Sequence, residues 1–122
     1  MNNELDIFGK FIIENFRDRA ISSINTLLNG ENKAPSLSSL QTNLSLFSNE
    51  EKEILKTTCI KSIDSGLHDY LLALQEATDN NKGIEQLVNG KNIAKLSDGL
   101  QGELFTEDGW LYKYSSYGEP SE

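Results

Sequence analysis

The chain has a single cysteine, Cys59, in 122 residues. An internal disulfide framework is therefore excluded, and the usage suits a reducing compartment. Arginine is almost as scarce: Arg17 and Arg19 are the only two. There is one histidine, His68, too few for a zinc site built on several imidazoles. No stretch approaches the roughly 18 consecutive apolar residues of a membrane-spanning helix. The N-terminal "MNNELDIFGK" is acidic and lacks the basic, then apolar, then small-residue order of a secretory signal, so a cytoplasmic location is expected. Signatures for phosphate loops, dinucleotide binding, Ser-His-Asp triads and paired CxxC are also absent.

Positive charge is in short supply as well. Net charge is −8, and residues 84–122 hold 3 basic against 7 acidic side chains. Such a surface repels nucleic acid and anionic membranes and attracts basic partners or cations. Aromatics interleaved with acids, rather than with Lys and Arg, argue against nucleic-acid stacking in the same way. The length suits a single domain with one hydrophobic core over residues 1–122.

Two periodicities divide the chain. Over 4–28, Leu5, Phe8, Ile12, Phe16, Ala20, Ile24 and Leu27 recur at three- and four-residue spacing and predict a helix with one apolar stripe. "NGENKAPS" at 29–36 breaks it, with Gly30 suited to a left-handed helix end and Pro35 to a new start. Leu37, Leu40, Leu44 and Phe47 support a short second helix. "SNEE" at 48–51 reads as a capping box opening a long helix to about Thr78, with an expected buried stripe of Leu55, Cys59, Ile63, Gly66, Tyr70 and Leu74. Cys59 is thus expected to be a buried, inert thiol. After residue 83 the period falls toward two. Asn89-Gly90 and Asp108-Gly109 are hairpin-turn pairs, predicting strands near 84–88, 91–96, 102–106 and 110–115. The fold class is therefore α+β: two long helices and a short one (1–83) packed on a C-terminal antiparallel sheet or meander of three to four short strands (84–116), followed by a tail at 117–122.

The candidate binding residues lie in "LSDGLQGELFTEDGWLYKYSSYGE", residues 96–119. Trp110, Tyr112 and Tyr114 alternate along one predicted strand face, and Asp98, Glu103, Glu107 and Asp108 surround it. Depending on the turn, Phe105 faces Tyr112 and Glu103 faces Tyr114, or Leu104 faces Tyr112 and Glu103 pairs with Lys113. That face is either core or a partly exposed aromatic-and-acid patch of the kind protein interfaces favour. Paired carboxylates could also do hydrolytic work, but Asp98 and Asp108 sit in Asp-Gly pairs that commonly build turns. Asp64 and His68, one helical turn apart, are the other candidate pair, for a metal or a general base. His68 is expected on the solvated face beside Lys61, with Asp69 directed away from it. No complete catalytic set, metal site or cofactor motif is expected.

In size, acidity, helical N-terminal half and the run "SDGLQGELFTEDGWLYKYS", the chain resembles the small acidic immunity-type proteins that bacteria make against their own polymorphic or contact-dependent toxins. The resemblance is one of general character and transfers no individual residue. It implies a cytoplasmic, non-enzymatic protein that binds a cognate, often basic toxin domain and blocks it through charge complementarity. Two other readings stand beside it: a small metal-binding protein or hydrolase using the loop carboxylates with Asp64 and His68, and a structural domain that buries its aromatic face in a homodimer.

Overall fold

The computed structural model describes residues 3–119. The chain is mostly helical, with a small two-stranded antiparallel sheet. Helix α1 (Glu4–Ile12) is capped by the Asn3 side chain, which accepts from the Asp6 N–H. It continues through a five-residue π-helical turn, Ile13–Arg17, into α2 (Asp18–Leu28). Gly30, at φ 69°, ends α2, and Pro35 opens a 3₁₀ turn leading into α3 (Ser38–Leu44). The long helix α4 (Asn49–Asp79) starts at the expected capping box: Ser48 Oγ accepts from the Glu51 N–H, and Glu51 Oε1 accepts from the Ser48 N–H. That second bond holds the Glu51 carboxyl below its usual range.

The π turn changes which residues are buried. A wider turn adds one residue to the helix, so the core-facing stripe jumps from Phe8 to Ile13, Arg17 and Ile21. The predicted stripe through Ile12 and Phe16 is corrected accordingly. Ile12 is half-buried and Phe16 is exposed.

Helix α4 is likewise rotated from expectation. Its core face is Ile60, Asp64, Leu67, Leu71, Leu74, Gln75 and Ala77, while Cys59 and Ile63 are half-buried and Gly66 and Tyr70 exposed. Two polar residues on the true core face, Asp64 and Gln75, disguised it in the sequence. Both are neutralised by partners distant in the chain. Arg17 donates to Asp64 at 2.5 and 3.0 Å, and Gln75 donates to the Ala94 carbonyl while accepting from the Leu100 N–H. The expected buried thiol at Cys59 is thus a half-buried one.

Beyond α4, the Asn89-Gly90 hairpin forms, with both residues at positive φ. Its strands are shorter than expected: β1 (Leu87–Val88) pairs with β2 (Lys91–Asn92) in the register Leu87–Asn92 and Val88–Lys91. Asn92 stops β2 because its side chain accepts from the Ala94 N–H and caps a 3₁₀ turn, Ile93–Leu96.

The second predicted hairpin is not formed. Residues Leu100–Glu103 make a 3₁₀ turn and Trp110–Tyr114 a short helix, α5. Trp110 and Leu111 are both buried. A strand would point these neighbours to opposite faces, whereas a helical turn keeps both on the core side. Gly109 is at φ −76°, so the Asp108-Gly109 pair supplies no left-handed turn. Glycine is required there because a Cβ would press into the Leu104 carbonyl. The core joins α1 and α4 to residues Ile93, Leu100, Leu104, Trp110 and Leu111. Of the expected tail 117–122, residues 120–122 lie outside the described residues. Tyr117 and Gly118 donate their backbone N–H groups to Ser115 Oγ.

Candidate functional site

The sequence-predicted site residues do not share one face. Trp110 is buried, its ring edge-on to Phe8 at 5.9 Å. Tyr112 is 59% exposed, and Tyr114 is half-buried against the core, with the Lys113 ammonium 5.7 Å from its ring centre. The Phe105–Tyr112 and Leu104–Tyr112 strand pairings do not arise, because neither partner is in a strand.

Three of the four loop carboxylates are displayed as surface groups, whereas Glu103 has one oxygen, Oε2, buried without a hydrogen-bond partner among the described residues. Asp98, Glu107 and Asp108 are exposed, and Glu103 is half-buried. The backbone beneath them is anchored by Leu100 and Leu104, both fully buried. Gln75 reinforces that anchor from α4 through its bonds to Ala94 and Leu100. Burial, and then the negative charge of Asp6, push the Glu103 carboxyl above its usual range; Lys113 opposes this and Asp98 adds to it. Among the described residues no Lys, Arg or His comes within ion-pair distance of these four carboxylates. Phe105 stands exposed in the same segment, its ring 6.3 Å from that of His68.

The Asp64–His68 pair is not assembled. Asp64 faces the core and is held by Arg17, while His68 Nδ1 lies 3.2 Å from Asp69 Oδ1. Asp69, expected to point away, is therefore the carboxylate that meets the imidazole. His68 is partly exposed and lines a shallow groove with Lys61, Asp64, Ser65, Phe105 and Glu119, but the Asp64 carboxylate there is bonded by Arg17 and not by the imidazole. Among the described residues, no three His, Cys, Asp or Glu side chains gather as a metal site would require.

A polar cluster that sequence reasoning missed joins the two ends of the fold. Arg17, fully buried, donates to Asp64 and, at 3.0 Å, to Ser115 Oγ. Ser115 Oγ in turn donates to Asp18, whose other oxygen accepts from the Ser116 N–H. Every polar group of this cluster has a partner, so it serves as a clasp between α1–α2, α4 and the C-terminal segment. The available signal was the α4 stripe of Ile60, Leu67, Leu71 and Leu74, more strongly apolar than the stripe through Cys59 and Gly66 and interrupted by Asp64. No family model, curated protein or solved structure matches the chain. Among the described residues, no helix is long and apolar enough to cross a membrane.

Proposed function

We propose that the chain is a non-enzymatic protein-binding module that recognises a basic partner through residues 96–109, as an immunity-type protein covers a basic toxin domain. One observation carries this reading: Asp98, Glu107 and Asp108 stand exposed on a segment whose Leu100 and Leu104 are fully buried. The charges are thus presented on backbone that the core already holds. A partner would not have to order this segment on binding, which lowers the entropic cost of association. Unpaired carboxylates on a chain of net charge −8 would speed encounter with a basic surface and disfavour acidic competitors. Exposed Phe105 and Tyr112 add apolar area of the kind that anchors interfaces. The toxin-neutralising role rests on the resemblance in size, acidity and organisation, and places the chain in the bacterial cytoplasm.

The test is binding to a toxin domain encoded beside this gene, measured by calorimetry and by protection of cells expressing that domain. Reversing Asp98, Glu107 and Asp108 together to lysine is expected to weaken binding at least tenfold and to flatten its salt dependence. A chain that neither binds nor protects against any neighbouring toxin overturns the reading.

A further inference from the structure

Within residues 96–109, Glu103 is the one carboxylate that the fold half-encloses, at the end of the 3₁₀ turn Leu100–Glu103. Its Oε2 is shut off from water and has no hydrogen-bond partner among the described residues. Gln101 Oε1, in the same turn, is in the same condition, so the turn buries two acceptors with a donor for neither. Charged groups act on Glu103 from three places: Asp6 on α1, Lys113 on α5 and Asp98 on its own segment. Two of the three are carboxylates. The lysine lies 3.7 Å from Asp6 and beyond ion-pair distance of Glu103, so the cation is spent chiefly on Asp6. A carboxyl so placed gains from carrying a proton. Burial disfavours the ion and Asp6 and Asp98 repel it, with Lys113 opposing.

We propose that a basic partner docking on residues 96–109 displaces the proton held by Glu103, so that association is coupled to proton release. This inference deepens the proposed binding role and rests on it. Asp98 is the link, because it is exposed to a partner and also acts on Glu103. Lysine or arginine side chains that neutralise Asp98 remove one of the two repulsions on ionised Glu103 and add an attraction of their own. Covering the segment also excludes water, which favours the protonated form. That opposing effect is the smaller one: Oε2 has already lost its water in the free chain, whereas the partner's cations are new charges close by. Glu103 therefore titrates lower in the complex than in the free chain. Binding tightens as pH rises through the interval between those two values and levels off above it. The chain then holds a basic partner best near neutral pH and loosens its hold on acidification.

The test is calorimetry of the full chain with acetylated, amidated hexalysine at low salt, from about pH 4.5 to about pH 7. Repeating each titration in buffers of different ionisation enthalpy counts the protons released per complex. The probe's lysines stay charged over that range, so the protons come from this chain. Wild type is expected to release protons at pH values above the usual carboxylate range. Glu103→Gln, which keeps the shape of the protonated side chain, should lose that release and bind about threefold more weakly than wild type near pH 7. Lys113→Met should extend the release to higher pH, because Glu103 then keeps its proton longer. Release unchanged by Glu103→Gln, or a Lys113→Met profile identical to wild type, overturns the proposal and leaves the binding role standing. No binding of hexalysine, or binding indifferent to the reversal of Asp98, Glu107 and Asp108 to lysine, overturns that role and this inference with it.

Discussion

Gly9 and Trp110 meet where α1 packs against α5, and a Cβ on Gly9 would overlap the indole ring. Glycine is required there by close packing, since its backbone is ordinary helix. Gly9→Ala is expected to displace Trp110 and to cost about 1–3 kcal/mol, typical of an overfilled core. Trp110 is the only tryptophan, so its emission reports the change directly. A red-shifted maximum and a lower urea midpoint are expected, and unchanged values would contradict this packing. Glu103 offers a second check at the same scale. Its raised carboxyl means that the folded chain keeps this proton to higher pH than the unfolded chain does. Ionised Glu103 therefore subtracts stability above its folded value, and the penalty disappears below its unfolded value. Glu103→Gln is expected to raise the urea midpoint relative to wild type at pH 7 and to give no advantage near about pH 3.5, where the wild-type carboxyl is protonated.

The π turn is the feature on which the elements depend. It rotates Arg17 into the interior and places the next residue, Asp18, within reach of Ser115. Arg17 then makes Asp64 acceptable on the core face of α4, which fixes the rotation of that helix. Rotation decides the rest: it sends Ile63, Gly66 and Tyr70 to an open apolar groove beside Ile12 and Phe16, and His68 toward Phe105. Removing one partner leaves a buried charge without its counterpart. Asp64→Ala is expected to cost about 3–5 kcal/mol in chemical denaturation, while Arg17→Met with Asp64→Leu recovers most of that loss. A double variant as unstable as the sum of the two single ones would mean that the pair contributes through packing and not through mutual charge compensation.

At the scale of the whole molecule, the imbalance of 19 acidic against 11 basic side chains sets a repulsion that folding concentrates. Among the described residues, three lysine- or arginine-to-carboxylate pairs offset part of it: Arg17–Asp64, Lys91–Glu4 and Lys113–Asp6. Two of these involve partly exposed groups that salt screens, and the unpaired loop carboxylates are screened as well. Because repulsion outweighs attraction at this net charge, raising sodium chloride from about 20 mM to about 0.5 M is expected to raise the thermal midpoint. A falling midpoint would show that the exposed ion pairs matter more than the excess of acid.

The sequence by itself determined the local features whose causes are local. The capping box at Ser48 and Glu51, the helix end at Gly30, the start at Pro35 and the positive-φ turn at Asn89-Gly90 each depend on two to four adjacent residues, and each was legible. The acidic surface was legible too, because charge counts need no coordinates. Tertiary structure alone decided which helix face is inside, since Asp64 and Gln75 are acceptable in the core only through Arg17, Ala94 and Leu100, all remote in the chain. It also decided that Trp110–Tyr114 is helical. Alternating aromatics after an Asp-Gly pair carry a strong strand signal, but burying the neighbours Trp110 and Leu111 on one side gains more than a hairpin that would expose one of them.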